Sequence, residues 1–266
     1  MLIAQLSDLH ICPPGVLCKG VADSNRGLAD AIDHLHRLDR RPDLIVLSGD
    51  IADDGRPEEY AHALELLRGL RIPFIALPGN HDDREGFRRA FAAEHRYLPA
   101  AGRMHYCLDQ YPLRLVVLDS TAPDAHYGRL DPPCIDWLAA TLAQAPERPT
   151  LLLMHHPPFA CGIPYLDNYR CFDTAPLEAV VRKHPNIQAV LCGHVHRAMV
   201  RRWAGTLVCT CPSTSSEIGL QLAPEAQPQS WLGPRAYLLH LWDPQAGGLV
   251  THTAYVGDYP GPYRFF

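Results

Sequence analysis

Short apolar runs alternate with longer stretches of helical periodicity along most of the chain, the pattern of an α/β protein. Leu2 to Ser7 predicts a first strand. From Arg26 to Arg40, Leu28, Ala31, Ile32, Leu35 and Leu38 recur on one helical face. Asp43 to Ser48 is a continuous apolar run, as expected of a strand buried on both faces. Pro57 to Leu70 predicts a second helix, with Pro57 in its first turn and Glu58 and Glu59 favourable near its N-terminal dipole. Ile72 to Leu77 predicts another buried strand.

The texture then changes. Met104 to Asp109 and Leu113 to Ser120 predict two strands joined by a Tyr-Pro turn. Pro132 to Ala145 predicts a helix opened by two prolines, Thr150 to Met154 a strand, Ala175 to Lys183 a helix and Ile187 to Cys192 a strand. After His196 the helical period stops, and short strands are expected near 198–203, 206–211, 235–242 and 249–256. Ser213 to Gly233, rich in Ser, Pro and Gln, predicts a long loop. No fixed-period repeat and no Gly/Ser-rich or Pro-rich linker divides the chain, which implies a single domain over 1–266.

Metal-ligand residue types stand directly where the apolar strands end. The first strand runs into Asp8-Leu9-His10, the second into Gly49-Asp50, the third into Gly79-Asn80-His81-Asp82, the next into His155-His156-Pro157, and the last into Gly193-His194-Val195-His196. In open α/β sheets the carboxyl ends of strands border the ligand crevice, so these ends are expected to meet at one place. Imidazole, carboxylate and amide oxygen suit first-row divalent cations, and the set has no thiolate. The i, i+2 spacing of Asp8 with His10 and of His194 with His196 puts each pair on one side of an extended backbone. Glycines 49, 79 and 193 allow sharp turns beside the ions. Taken singly each piece has a bland reading as a turn, a polar loop or a strand cap; the conjunction carries the weight. The other histidines lack this setting. His34, His36, His62, His95, His126 and His184 read as solvated helix or loop residues, and His105, His240 and His252 as hydrogen-bonded strand residues.

Composition narrows the picture. With 266 residues, 47% hydrophobic and 20% charged, the chain is an ordinary globular protein. A formal charge of −5 disfavours a nucleic-acid polymer as partner but allows a small phosphate ester, since bound cations invert the local field. No apolar run approaches the roughly 18 residues of a membrane span, and no membrane partner is expected. The N-terminus enters a strand without a basic region or cleavage site, which predicts a cytoplasmic protein. Nine cysteines, odd in number and without a CxxC pair, read as reduced thiols. Cys12/Cys18 and Cys161/Cys171 lie in expected loops, where spacing alone does not decide pairing.

The ordered motifs Asp8-x-His10, Gly49-Asp50, Gly79-Asn80-His81-Asp82, His155 and Gly193-His194-x-His196 resemble the calcineurin-like metallophosphoesterases, which include purple acid phosphatases and protein phosphatases. The stretch from Gly55 to Tyr60 (GRPEEY), the Gly79-Asn80-His81-Asp82-Asp83 motif and His155-His156-Pro157-Pro158 resemble one branch more closely, the class III cyclic-nucleotide phosphodiesterases and metal-dependent glycerophosphodiesterases. The resemblance runs from residue 2 to about 215. It implies a four-layer α/β/β/α sandwich of two mixed sheets with helices outside. It implies two divalent ions, of Mn, Fe, Zn or Co: one on Asp8, His10 and His196, the other on Asn80, His155 and His194, bridged by Asp50. His81 would act beside the substrate phosphate, and Asp50 and Asn80 are counted with it as catalytic. Arg56 and His156 would lie on the substrate side. The implied reaction is hydrolysis of a small phosphodiester, a cyclic nucleotide or glycerophosphodiester, by a hydroxide generated at the two cations.

Loops 11–25, 157–174 and 212–233 are expected to rim the site. The middle one carries Phe159, Tyr165, Tyr169 and Phe172, which suit stacking on a base, lining an apolar pocket, or sealing a lid or subunit contact. Three alternatives stay open at this level: a phosphomonoesterase or protein phosphatase on the same scaffold, a nuclease, and a non-catalytic interaction module. Oligomeric state is also open, and a homo-oligomer is compatible with the sequence.

Overall fold

A computed structural model describes residues 1–264. Its strands are β1 (Leu2–Leu6), β2 (Leu44–Leu47), β3 (Phe74–Ala76), β4 (Tyr106–Leu108), β5 (Arg114–Leu118), β6 (Gly128–Arg129), β7 (Thr150–Met154), β8 (Cys171–Phe172), β9 (Ile187–Cys192), β10 (Met199–Trp203), β11 (Thr206–Thr210), β12 (Glu217–Ile218), β13 (Ser230–Trp231), β14 (Arg235–Asp243) and β15 (Gly248–Val256). The helices are α1 (Ser24–Arg37), α2 (Pro57–Leu67), α3 (Arg84–Phe91), α4 (Pro132–Ala143), α5 (Pro164–Asp167) and α6 (Ala175–Arg182).

Two mixed sheets carry the fold, in the orders β15-β14-β1-β2-β3 and β10-β11-β9-β7-β5-β4. In the first, β1, β2 and β3 are parallel and β14 and β15 antiparallel; in the second, β5, β7, β9 and β11 are parallel and the edges β4 and β10 antiparallel. Period two decides which face each side chain takes. Ile3, Leu44, Val46 and Ile75 of the first sheet pack against Leu115, Val117, Leu151, Leu153 and Leu191 of the second. The alternate residues Ala4, Leu6, Ile45 and Leu47 face Leu28, Leu35, Ala63 and Phe87 of α1, α2 and α3. Val116, Leu118, Leu152 and Val190 face Leu138, Leu142, Leu177 and Val181 of α4 and α6. The result is the expected α/β/β/α sandwich, in which each fully buried aliphatic side chain contributes roughly 1.5–3 kcal/mol.

A buried polar tie on β1 helps to join the sheets. Gln5 on β1 donates through Nε2 to Ser48 Oγ and to the carbonyl of Cys192, each at 2.9 Å. His240 on β14 meets Gln5 Oε1 at 3.0 Å through Nε2 and Thr251 Oγ1 at 2.8 Å through Nδ1. Both His240 nitrogens are therefore satisfied, and burial pushes the ring's pKa down to about 3.

Several expectations need correction. The helix expected to reach Arg40 stops at Arg37, because Leu38 turns extended (ψ 140°) four residues before Pro42. Helix α3 has no counterpart in the sequence reading: within REGFRRAF only Phe87 and Phe91 give an apolar period. It forms because Asp83 caps its N-terminus and both phenylalanines pack edge-on against Tyr60. The region 213–233 contains the small hairpin β12–β13, and 157–174 contains α5 and β8. His34 and His95, read as solvated, are half-buried and buried: His34 meets the Tyr237 hydroxyl at 2.8 Å and His95 that of Tyr97 at 2.9 Å. His240 is hydrogen-bonded as expected, whereas His252 is exposed.

Candidate metal centre

The carboxyl ends of β1, β2, β3, β7 and β9 converge, and each hands its next residues to one buried cluster. The strands' hydrogen bonding continues past their ends: Asp8 N donates to Gly49 O at 3.0 Å and His10 N to Asp50 O at 2.9 Å. Within the second sheet, Gly193 N, just past β9, donates to His155 O, just past β7, at 2.9 Å. Asp8, Asp50, His155, His10, His194 and His196 are all buried, and Asn80 is half-buried.

The backbone there is strained in a consistent way. Among the described residues nine non-glycines have positive φ, and five of them are Asp8 (53°), His10 (47°), Asp50 (52°), His194 (73°) and His196 (53°). Such conformations cost free energy and persist where the surroundings over-determine them, typically at functional sites. Glycines make room beside them. Gly49 has φ +100°, and a Cβ there would lie 2.3 Å from His155 Nδ1. At Gly79 the reason is space: a Cβ would lie 2.1 Å from Asp50 Oδ1.

The interatomic distances describe one compact constellation. His10 Nε2 lies 3.1 Å from His196 Nε2 and 3.7 Å from Asp50 Oδ2. His196 Nε2 lies 3.5 Å from Asp8 Oδ1. His155 Nε2 lies 3.3 Å from Asp50 Oδ2 and 3.9 Å from Asp8 Oδ1. His194 Nδ1 lies 2.8 Å from Asn80 Oδ1. Asp50 thus touches both halves of the set.

The outer hydrogen bonds fix which ring nitrogens face inward. A carbonyl only accepts, so His155 Nδ1 must donate to Ser48 O (2.8 Å) and His196 Nδ1 to Ser216 O (2.7 Å). His10 Nδ1 is held by Asp53 Oδ1 at 3.1 Å. In each ring the Nε2 lone pair is left to point into the cluster, the arrangement that orients metal-binding imidazoles. His155 Nε2 and His194 Nε2 are buried and have no hydrogen-bond partner among the described residues. Unpartnered buried nitrogens beside two buried carboxylates fit divalent cations in this place.

Electrostatics bear the marks of crowded ionisable groups. Burial raises the Asp8 carboxyl to about 6. Burial works against the Asp50 carboxylate too, but His155 and His81 beside it hold it well below its ordinary value. Burial pulls His155 down, yet Asp50 and Asp8 lift it to about 9. Burial lowers His10, His194 and His196, the last to about 4, so these rings are neutral and able to coordinate.

His81 stands at the edge of the cluster, half-buried, with its ring edge-on to His10 at 4.7 Å. Its backbone N–H donates to Asp50 Oδ1 at 2.8 Å, and its Nδ1–H to Asp53 O at 2.6 Å, which leaves Nε2 free. Burial pulls its pKa down, but Asp50, the Asp53 carbonyl and the Asp53 carboxylate together raise it above the ordinary value. His156 lies behind the cluster, fully buried, bonded to Ser120 Oγ at 2.8 Å and to His126 O at 3.2 Å. Its ring leans on those of His155 and His194, so it braces them and does not line the cleft. Arg56 is not brought to the cluster: its guanidinium is exposed and pairs with Asp54 at 3.0 Å, while its backbone caps α2 through Glu59.

A cleft of about 380 Å³ opens over the cluster, lined by Lys19, Asp50, Asn80, His81, His126, Tyr165, Leu166, Tyr169, His194, His196 and Ile218. All three expected rim loops contribute. Of the four aromatics, only Tyr165 and Tyr169 reach it; Phe159 is buried in the core outside the second sheet and Phe172 packs on Tyr127. Three residues with clear roles escaped the sequence reading. Asp53 orients His10. Asp82 accepts from the backbone N–H groups of Ile51, Ala52 and Gly79, pinning the turns that carry Asp50 and Asn80. His126, read as a solvated loop residue, is exposed but bonds the Asn80 amide at 3.1 Å. Asp53 and Asp82 follow their ligands within a few residues, a signal that was there to be read; His126 had none.

Comparison with known proteins agrees with this geometry. The family model described as calcineurin-like phosphoesterase matches residues 1–198. The chain is 34% identical to a probable glycerophosphodiester phosphodiesterase GpdQ of Arcobacter nitrofigilis, over 100% of this chain and 97% of that one. It is 32% identical to the 3',5'-cyclic adenosine monophosphate phosphodiesterase CpdA of Escherichia coli K12, over 80% of this chain and 75% of that one. Among solved structures, a dimetal phosphatase from Danio rerio shares the fold, with a TM-score of 0.65 at 16% identity over 97% of this chain and 99% of the other. On the matched motifs, the fold and the full-length similarity, this chain belongs to the calcineurin-like phosphoesterase family of metal-dependent hydrolases.

Proposed function

We propose that this protein is a binuclear metal-dependent phosphodiesterase acting on small phosphodiesters of the cyclic-nucleotide or glycerophosphodiester kind. The observation that carries the proposal is the convergence of seven potential ligands from five strand ends, with the Nε2 atoms of His10, His155 and His196 turned inward. In this reading Asp8, His10 and His196 would hold one ion, Asn80, His155 and His194 the other, and Asp50 would serve both. Mn, Fe, Zn and Co all suit such nitrogen and oxygen donors. Two such ions supply Lewis acidity toward phosphoryl oxygens and a nucleophile from water near neutral pH.

The protein's own groups do the remainder. His81 Nε2 faces the cleft and its raised pKa favours a proton there, which it offers to a phosphoryl oxygen or to the departing alkoxide. Because the His81 N–H is bonded to Asp50, acid and bridge keep a fixed relation. His156 holds the rings of His155 and His194 in place. Tyr165, Leu166 and Tyr169 form a wall at the mouth, with Ile218 and Lys19 also on the rim. A diester presents two ester groups, and the second finds this wall. A monoester gains nothing from it, and tight ground-state binding alone does not speed the chemical step. The names of the glycerophosphodiester and cyclic-nucleotide relatives support the same class. A single domain over 1–266 and a cytoplasmic location belong to the same reading; nine free thiols suit a reducing compartment. Among the described residues no helix is long and apolar enough to cross a membrane.

The test is a kinetic comparison on metal-supplied enzyme at several pH values, using bis(p-nitrophenyl) phosphate, p-nitrophenyl phosphate, a cyclic nucleotide and a glycerophosphodiester. A higher kcat/KM for diesters is expected. A higher kcat/KM for the p-nitrophenyl monoester throughout would make the protein a phosphomonoesterase.

A further inference from the structure

Beside the binuclear cluster lies a second group of ligand atoms that the proposed chemistry does not use. Cys12, Cys18 and Asp53 are buried, and their ligand atoms lie within 4.8 Å of one another. Cys18 Sγ is 3.4 Å from Asp53 Oδ1 and Cys12 Sγ is 3.8 Å from Asp53 Oδ2. We infer that Cys12, Cys18 and Asp53 form a third cation site, suited to a soft divalent ion such as Cd²⁺.

The two thiols reach opposite oxygens of one carboxylate, Cys18 at Oδ1 and Cys12 at Oδ2. A tetrahedral ion with bonds of about 2.3 Å to sulfur and about 2.1 Å to oxygen has sulfur-to-oxygen edges of about 3.6 Å, a spacing that these groups reach with small side-chain adjustments. The backbone presents the three groups in fixed positions. Ile11 N donates to Ile51 O at 2.9 Å and Asp53 N to Ile11 O at 3.2 Å, which locks Cys12 beside Asp53. Pro13, Pro14 and Gly15 turn the chain back, and Cys18 N donates to Ala22 O at 2.8 Å, which locks the second thiol. Lys19 Nζ, on a side chain 61% exposed, stands 3.4 Å from Asp53 Oδ2 and supplies the positive charge that a cation would bring. It can swing into solvent and leave the fourth position to water. Both thiols donate to Asp53, so a cation bound through the two sulfurs would displace their protons. Protonated, buried thiols are poor nucleophiles, which disfavours a disulfide as the purpose of the pair. The binuclear cluster has no thiolate, so a soft ion distinguishes the two sites.

The site shares Asp53 with His10. Asp53 Oδ1 lies 3.1 Å from His10 Nδ1, and an ion drawing on that carboxylate loosens its hold on the ring. This consequence rests on the proposed role of His10 as a ligand. Loss of such an orienting partner typically costs 10–100-fold in metal affinity or activity. Soft cations are therefore expected to inhibit the Mn²⁺-loaded enzyme about tenfold or more.

The experiment titrates Mn²⁺-loaded enzyme with Cd²⁺ and follows the ultraviolet thiolate-to-cadmium absorption together with phosphodiesterase activity. The band is expected to saturate at one equivalent and to vanish in Cys12→Ser and Cys18→Ser, with Cys18→Ala as a second variant should a buried hydroxyl unsettle the loop. Absence of the band at several equivalents, or its survival in all the variants, would overturn the site. Inhibition equal in wild type and Cys18→Ser would overturn the link to His10 and leave the spectroscopic result standing. The band needs no turnover, so it reads the site even if the proposed activity fails.

Discussion

The floor and the rim of the cleft are built by opposite means. The floor consists of residues that follow parallel strands, buried except for the half-buried Asn80, five of them in a left-handed backbone conformation. Every ring there has a second hydrogen bond or a neighbouring ring that fixes it. The rim consists of loops: Lys19, His126, Tyr165, Tyr169 and Ile218 come from four different connections, and of these Lys19, His126 and Tyr165 are exposed. A buried floor under a more exposed rim separates chemistry from substrate choice. Changes to the floor should abolish the reaction, and changes to the rim should alter which ester is preferred.

The floor itself is uneven, which gives the largest expected effect. Asp50 is a buried anion in contact with both halves of the cluster, while Asn80 is neutral, half-buried and tethered by an exposed histidine. Asp50→Ala should lower kcat/KM by at least about 10³-fold, several kcal/mol of transition-state stabilisation, and excess Mn²⁺ should not restore it. Asn80→Ala should lose less and recover with added Mn²⁺. Recovery of the Asp50 variant alone would move the bridge elsewhere.

His81 comes next. His81→Ala should retain both ions by elemental analysis and lose roughly 10²–10⁴-fold in rate, the range of general acid–base contributions. Loss of one ion would make His81 a ligand and extend the floor by a residue.

The rim should respond more gently. Tyr169→Ala removes a ring from the wall, so KM for a diester with a bulky second substituent should rise about tenfold or less, as for a contact worth roughly 1–1.5 kcal/mol. The rate on p-nitrophenyl phosphate should stay unchanged. An equal loss on both esters would show that the rim takes part in the chemistry.

The smallest effect on activity is expected beneath the floor, at the tie of His240, Gln5, Ser48 and Cys192. His240 is neutral when folded, its pKa pushed down to about 3 from an ordinary 6.5. The unfolded chain therefore binds the proton first, so this stabilisation is complete above pH about 6.5 and is lost as pH falls toward 3. Thermal unfolding of metal-loaded protein should show this as up to about 1.4 kcal/mol per pH unit. His240→Gln should flatten that slope while leaving kcat near the wild-type value. An unchanged slope would place the acid sensitivity elsewhere.

The same division governs what the sequence discloses. The floor was legible because its residues are anchored in chain position: a continuous apolar strand ends, and a ligand follows within a few residues. The exact ends of Thr150–Met154 and Ile187–Cys192 followed from that pattern. Sheet order was not legible, since β14 joins β1 from the far end of the chain and no local signal records that pairing. Helix α3 was hidden because its stability comes from an Asp83 cap and contacts with Tyr60 more than from its own periodicity. His126 reaches Asn80 from a loop without repeat or frame. Arg56 teaches the converse: its motif resembles a substrate-side element, but its side chain turns to Asp54.

The floor is proposed to hold two ions. Anomalous diffraction at the manganese edge on Mn²⁺-soaked crystals tests it most directly. Two peaks are expected: one among Asp8, His10 and His196, the other among Asn80, His155 and His194, with Asp50 in contact with both. A single fully occupied peak at saturating Mn²⁺, or a second peak outside these residues, would contradict it.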